Sequence, residues 1–270
     1  MTRKALFEFE DFSWLPQTIR NGITRLLQVL HGMLGTTEVL SDLIQSCKVK
    51  VSFNQIVDLG SGSGGAMPQV LRQLNSQLSE DNQLSLVLTD KFPNRAVVED
   101  INALHDKQLS YLNQSIDARE IDNTPKGLKT MIASFHHMDP DTARNILKSA
   151  ETSKEPLLIY EIAENNVPFL LWCLLLPLSL LILIIMALMM TLKVRPLGFK
   201  QVVFTYLIPV IPLIYAWDGQ ASLMRTYTLK DIEELLGPKR ASDYNWDIQQ
   251  ATKANGKKVG YYVFGYPSNL

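Results

Sequence analysis

The feature that most constrains this chain is an uncharged apolar run, VPFLLWCLLLPLSLLILIIMALMMTL, from Val167 to Leu192. As a helix rising about 1.5 Å per residue it would be about 39 Å long, against a bilayer core of about 30 Å. A helix that is apolar on every face is typical of a membrane segment. The alternative is a core helix buried inside the domain. The run therefore predicts a membrane-embedded segment in a chain that is otherwise ordinary in hydrophobicity.

A second uncharged stretch, residues 201–217, follows the basic residues Lys193, Arg195 and Lys200. The pair of segments predicts an inserted hydrophobic helical hairpin, because the polar sequence that follows must return to the side it left. The hairpin either spans the membrane or is re-entrant in one leaflet. A spanning hairpin places the basic turn on the far side, against the positive-inside tendency. Prolines such as Pro177 allow the re-entrant form.

The remaining sequence alternates short strand-like runs with helical segments. QIVDLG, SLVLTD, KTMIASF and EPLLIYEIA are strand-like, YLNQSID is a weaker candidate, and an Asn-Gly turn near the end predicts a closing hairpin. This predicts an α/β fold of Rossmann-like type, with a mostly parallel seven-stranded sheet, an antiparallel edge strand and helices on both faces. The predicted parts are a helical lid segment (1–52), an α/β core (53–163), the hairpin insertion (164–217) and the rest of the core (218–270).

A glycine-rich loop, IVDLGSGSGG, joins the first strand to a helix. Gly60, Gly62 and Gly64 allow backbone N–H groups and a helix N-terminus to approach an anionic group. Gly60-x-Gly62-x-x-Gly65 also satisfies the dinucleotide fingerprint. Asp58, two residues before the first glycine, favours a cationic cofactor instead, because a carboxylate there repels a pyrophosphate and attracts an ammonium or sulfonium.

Charge and cysteine content exclude several classes of protein. The formal net charge is −1, which argues against nucleic acid as a partner. The two cysteines, Cys47 and Cys173, form no metal-binding or disulfide pattern, so no metal is expected and a reducing environment is favoured.

The segment VDLGSGSGG resembles the first motif of the class I S-adenosylmethionine (SAM)-dependent methyltransferases, an acid followed by alternate glycines. The resemblance covers residues 50–165 well and 218–267 by topology. It implies that Asp90, at the end of the second strand, holds the ribose hydroxyls, with the adjacent Lys91 in the cofactor site. It also implies that Asp117-Ala118 meets the adenine amino group and that Ser134, in SFHHM, lies at the turn after the fourth strand.

Candidates for the chemistry lie where the fourth and fifth strands end. His136 and His137 are candidate bases because imidazole titrates near neutrality, and on an extended backbone only one of them would face the pocket. Glu161 is an acceptor-side alternative. Arg225 would grip a polar head group of the acceptor or extend to lipid headgroups.

The sequence therefore predicts a membrane-associated SAM-dependent methyltransferase whose catalytic domain faces the cytoplasm. The hydrophobic acceptor (a lipid, isoprenoid, quinone or sterol-like molecule) would be methylated on oxygen or nitrogen. The insertion follows the fifth strand, which in the resembling family borders the acceptor pocket. Open alternatives are a silent SAM-binding scaffold that recruits a partner and a membrane-anchored enzyme with a soluble substrate.

Overall fold

The computed structural model describes residues 1–253 and 255–268. It divides into two compact units. One, called the α/β unit here, contains Gly35–Ala163 and Leu229–Leu270, with Met1. The other, called the helical unit, contains Thr2–Leu34 and Glu164–Thr228. The predicted division of the chain into four parts, with boundaries after residues 52, 163 and 217, stays a prediction.

The α/β unit contains a seven-stranded sheet, whose strands are β1 (Gln55–Leu59), β2 (Ser85–Asp90), β3 (Leu109–Ser115), β4 (Leu128–Ile132), β5 (Leu157–Glu161), β6 (Tyr244–Thr252) and β7 (Lys258–Pro267). Their order in the sheet is β3-β2-β1-β4-β5-β7-β6. Strands β1 to β5 pair in parallel. Parallel strands need helical crossovers, which explains the alternation in the sequence.

The predicted position of the antiparallel strand is wrong. The closing hairpin forms as expected, with β6 and β7 antiparallel. However, β7 is the strand that pairs antiparallel to β5, so it lies inside the sheet and β6 forms the edge. The later strand of the hairpin pairs with β5, and its partner β6 therefore runs in the same direction as β1 to β5.

The helices of the α/β unit follow the amphipathic segments of the sequence. They are α2 (Thr36–Lys50), α3 (Met67–Asn75), α4 (Arg95–Asn102), α5 (Pro140–Ser153) and α9 (Leu229–Leu236). Helix α5 begins as its sequence predicts, because the Asp139 side chain accepts hydrogen bonds from the N–H groups of Asp141 and Thr142, and Pro140 takes the first helical position. Side chains of α2 and α3 form one apolar core with β1, β2 and β4.

The helical unit contains the apolar region. Its helices are α1 (Gln17–Leu34), α6 (Phe169–Thr191), α7 (Phe199–Val202), which continues as a π-helical turn to Leu207, and α8 (Val210–Arg225). Helix α6 is long and apolar enough to cross a membrane, with a mean hydropathy of 2.9 over its best window, of which 6% is buried. A core helix would be mostly buried, so α6 does not fit the alternative of a helix hidden inside a globule.

One sequence expectation for the helical unit needs correction. Arg225 was expected to reach headgroups or the acceptor. Its side chain is instead 7% exposed and forms an ion pair with Glu8 at 3.1 Å and another with Asp11, because burial of a guanidinium requires carboxylate partners.

Candidate cofactor and catalytic site

The predicted site residues of the α/β unit lie at the carboxyl ends of neighbouring parallel strands. Asp58 is the second-last residue of β1 and Gly60 follows the strand, Asp90 ends β2, Ser134 follows β4 and Glu161 ends β5. Adjacent parallel strands all terminate at one edge of the sheet, and ligands of open α/β sheets bind there. The order β2-β1-β4-β5 therefore brings these residues to one edge.

The glycine loop between β1 and α3 is built from backbone conformations that favour glycine. Gly60, Gly62, Gly64 and Gly65 all have positive φ, of 68°, 53°, 90° and 51°. The tightest position is Gly64, where an added Cβ would lie 3.3 Å from Leu88 Cδ1. The loop is open at Gly62, where a Cβ would meet no atom within 4 Å. This arrangement leaves the loop backbone accessible to a ligand.

Asp58 lies beneath the loop rather than on its surface. The residue is 4% exposed, and its carboxylate accepts hydrogen bonds from Ser61 Oγ at 2.7 Å and Thr130 Oγ1 at 2.6 Å. Burial raises the pKa of Asp58 to about 6, while the two hydroxyl groups oppose the shift and nearby Asp90 adds to it. Asp58 thus braces the loop against β4, and a cation nearby would favour its charged form.

Asp90 is connected directly to the glycine loop. Its Oδ2 accepts a hydrogen bond from the Gly62 N–H at 2.9 Å, and its Oδ1 accepts one from the Phe92 N–H at 2.8 Å. The Tyr111 hydroxyl donates to the Gly62 carbonyl at 2.8 Å, a contact that the sequence does not predict because Tyr111 lies in the weakest strand candidate. The loop is therefore held from β2 and from β3.

Asp117-Ala118, which the resemblance places at the adenine, has two cationic neighbours. Asp117 forms ion pairs with Lys91 at 3.0 Å and Arg119 at 2.6 Å. Hydrogen bonds from Arg119 hold the pKa of Asp117 well below its usual range. Lys91 and Asp117, two separate predictions for the cofactor site, are thus an ion pair. Arg119 is not among the predicted site residues, although a basic residue two positions after Asp117 indicates a possible partner for that carboxylate. Ala118 lies between Asp117 and Arg119 in the sequence.

The turn after β4 combines backbone strain with a buried hydroxyl. Ala133 has φ 50°, a left-handed conformation that costs a non-glycine residue about 1 kcal/mol or more. This conformation ends β4 at Ile132, three residues before the predicted end at residue 135. Ser134 Oγ is buried and has no hydrogen-bond partner among the described residues. A Cβ at position 60 would lie 3.7 Å from Ser134 Oγ, so this hydroxyl faces the glycine loop.

His136 and Glu161 form a buried pair. Glu161 Oε2 lies 2.9 Å from His136 Nδ1, and Glu161 Oε1 accepts a hydrogen bond from the His136 N–H at 3.0 Å. Glu161 is 2% exposed and His136 is 6% exposed. Because a carboxylate only accepts hydrogen bonds, Glu161 favours the tautomer of His136 with its proton on Nδ1 and fixes the orientation of the ring.

The expectation that the two histidines point opposite ways is wrong. Phe135–His137 is a 3-10 turn, not an extended segment, and the two imidazole rings lie 4.3 Å apart between centroids. The turn follows from Ala133, whose left-handed conformation prevents the strand from continuing. His136 contacts Glu161 through both its backbone N–H and its ring.

Comparisons with solved structures identify the fold. The plantazolicin methyltransferase BpumL, solved in complex with SAH, matches with a TM-score of 0.50 and 13% identity, over 94% of this chain and 88% of that one. The plantazolicin methyltransferase BamL matches with a TM-score of 0.49 and 12% identity (94% and 99%), and the mitomycin 7-O-methyltransferase MmcR with 0.45 and 14% (87% and 53%). No protein-family model and no curated protein sequence matches. At these identities, the match to BpumL shows the fold alone.

Proposed function

We propose that this chain is a SAM-dependent methyltransferase associated with a membrane, acting on the oxygen or nitrogen of a hydrophobic acceptor. The observation that carries the enzymatic part is the His136–Glu161 pair, held at 2.9 Å at the same sheet edge as the glycine loop. A glycine loop alone is compatible with binding. A buried histidine fixed by a carboxylate adds the group that removes a proton from a nucleophile.

The residues next to the glycine loop fit the proposed cofactor. Asp90 lies next to the loop backbone and offers a carboxylate to ribose hydroxyls, as the resemblance implies. Ser134 Oγ is a buried hydroxyl without a partner among the described residues, and it faces Gly60, so a polar group of the cofactor would satisfy it. The neighbour BpumL was solved with SAH, which supports the same cofactor for this chain.

The chemistry proposed for the chain's own residues is short. SAM supplies an electrophilic methyl group on a sulfonium. His136 Nε2 takes the proton of the acceptor hydroxyl or amine as the nucleophile attacks, and Glu161 stabilises the resulting imidazolium through Nδ1. Both groups are buried, which strengthens their electrostatic interaction relative to water. A positioned base favours an oxygen or nitrogen acceptor, because such a nucleophile must lose a proton.

A hydrophobic acceptor is supported by the connectivity. The chain leaves β5 at Glu161, and the apolar helix α6 begins eight residues later at Phe169. The region proposed to contact lipid is thus joined directly to the residue that holds the base. We infer that the acceptor enters from the lipid phase and that the α/β unit faces the cytoplasm, where SAM is made.

Binding of SAM to the purified full-length chain tests the first part of the proposal. Titration calorimetry should give saturable binding that Asp90→Ala abolishes and Asp100→Ala, an exposed aspartate of α4, leaves unchanged. Absence of binding by the folded wild-type protein would end the proposal.

Methyl transfer is tested with methyl-labelled SAM and membranes. Label entering the organic extract supports the hydrophobic acceptor, and label confined to the aqueous phase supports an anchored enzyme with a soluble substrate. SAM binding without any transfer would favour a silent scaffold.

A further inference from the structure

The helical unit holds α6 against two other helices. Ile19, Ile23 and Leu26 of α1 share one apolar core with Ala187 and Met190 of α6, and α8 contributes Ile211, Ile214 and Tyr215 to the same core. Trp172 Nε1, near the start of α6, donates a hydrogen bond of 2.8 Å to Gln220 Oε1, near the end of α8. Helices α6 and α8 therefore run antiparallel, and the C-terminal end of α6 is packed against α1.

Helix α8, with 16 residues, is by itself too short for a second crossing. Its C-terminal half is polar and anchored: Asp218 accepts hydrogen bonds from the N–H groups of Phe9 at 2.7 Å and Glu10 at 3.2 Å, and Arg225 pairs with carboxylates. Its apolar part, 210–217, is about 12 Å long at 1.5 Å per residue. The preceding segment, Phe199–Leu207, is bent from α8 by 76°. No straight return path of membrane length exists between 199 and 225.

Helix α1 also argues against a crossing by α6. Its side chains include Arg20, Asn21, Arg25 and Gln28, so it is too polar to lie in hydrocarbon. The turn after α6 is beside it, because a Cβ at Gly198 would lie 3.6 Å from Arg25 Nη1. If α6 crossed the bilayer, its packed C-terminal end would carry α1 into the membrane or to the far side.

Ten large apolar side chains of α6 are exposed, and six of them form a stripe along the whole helix; the other four, Phe169, Leu171, Leu175 and Ile182, widen it. The side chains of the stripe are 48% to 82% exposed. They follow one another at steps of three and four residues and therefore share one helix face. They are Leu170, Leu174, Leu178, Leu181, Ile185 and Met189. Phe199, Leu207 and Ile208 beyond the helix are also exposed. The basic residues Lys193, Arg195 and Lys200, all exposed, follow the stripe directly. Apolar side chains next to a basic turn complement an anionic lipid surface.

We propose that α6 lies within a single leaflet of an anionic bilayer and does not cross it. The stripe faces the acyl chains, α1 and α8 cover the opposite side of the C-terminal half, and the basic turn remains at headgroups on the side from which the helix entered. The inference rests on the proposed membrane association and selects the re-entrant form over the spanning one.

Counting labels on single molecules tests the topology without knowledge of vesicle orientation. In a Cys173→Ser background, Val49→Cys on α2 is combined with Lys193→Cys, and intact proteoliposomes are treated with a membrane-impermeant maleimide. Native Cys47 is buried and Val49 is 84% exposed. A single-leaflet helix gives molecules with two labels or none, since both cysteines lie on one side. A crossing helix gives one label per molecule and would overturn the proposal. The pair Val49→Cys with Lys107→Cys, both in the α/β unit, is the matched control.

Flotation with vesicles tests the lipid partner separately. With phosphatidylcholine vesicles containing about one third phosphatidylserine, each basic residue contributes about fivefold in affinity, so Lys193→Gln/Arg195→Gln/Lys200→Gln should weaken binding about a hundredfold. The matched control, Lys50→Gln/Lys107→Gln/Lys239→Gln, removes the same charge from the α/β unit and should leave binding within a few-fold of wild type. Equal losses in both triple variants would refute the role of the turn. If the wild-type protein did not float with the vesicles and formed a dimer without lipid, the stripe would be an interface with a second copy of the chain. The membrane association in the proposed function would then be wrong as well.

Discussion

Replacing Glu161 by Gln should disable the proposed base while preserving the shape of its pocket. The Gln carbonyl oxygen can still accept the His136 N–H, which the carboxylate accepts at 3.0 Å. The amide NH2 group then faces Nδ1, 2.9 Å from the present carboxylate oxygen, and favours the tautomer protonated on Nε2. That tautomer cannot take a proton from the acceptor.

The size of the effect follows from the lost interaction. A hydrogen bond to a charged partner contributes about 2 kcal/mol, and its loss from the imidazolium-like transition state lowers kcat/KM by roughly thirtyfold. Removal of the ring by His136→Ala should cost more, about 10² to 10⁴-fold, which is the usual range for a general base. SAM affinity should change little in either variant.

The assay compares initial methyl-transfer rates with SAM dissociation constants for the same preparations, with thermal unfolding as the check on folding. Glu99→Gln is the matched control, because Glu99 is an exposed partner of Arg95 on α4 and has no contact in the site. If Glu161→Gln retained half of the wild-type kcat/KM, or lost SAM affinity in proportion to rate, the assignment of His136 as a carboxylate-held base would be wrong.

Three further outcomes are expected. Because burial raises the pKa of Asp58 to about 6, the ionised fraction of this carboxyl falls about tenfold between pH 7 and pH 5. If SAM requires the charged form, calorimetry should show the affinity for SAM falling by the same factor. The Asp58→Asn variant should show no such pH dependence. The sign for stability is opposite, since a raised carboxyl pKa removes stability as pH rises from about 4 to about 6. Lys129→Met should destabilise the fold by about 2–3 kcal/mol in urea, because Glu155 loses its buried partner at 2.9 Å and keeps the exposed Lys126 at 2.6 Å; Lys129→Met/Glu155→Leu should recover part of this. Gly64→Ala should cost about 1–2 kcal/mol and weaken SAM binding, because φ is 90° and Leu88 crowds the new Cβ; unchanged binding would show that the loop conformation is not needed.

Much of the α/β unit could be predicted from local patterns. Short buried strands alternating with amphipathic helices leave few alternatives to a parallel sheet, because each parallel connection must cross one face. The Asp139-Pro140 start of α5 and the glycine loop were readable because capping and positive φ depend on residues close in sequence. The pairing of β7 with β5 was not readable, since strand order is decided by contacts between segments about 100 residues apart.

The sequence indicated both residues of the proposed catalytic pair, but not the contact between them. His136 and Glu161 are 25 residues apart in the sequence. Neither segment indicates that the Glu161 carboxylate accepts hydrogen bonds from both the backbone N–H and the ring of His136. The 3-10 turn that sets the imidazole depends on Ala133, whose left-handed conformation no propensity predicts for alanine.

The sequence alone determined that this chain carries a glycine loop in a strand–loop–helix context and an uncharged apolar helix of membrane length, because both are local features of composition and period. Only the tertiary structure decided which faces of α6 are covered, that Arg225 is buried among carboxylates, and that Asp58 lies beneath its loop. The physical reason is that burial and pairing are properties of segments brought together from distant parts of the chain, and a local pattern contains no information about its partner.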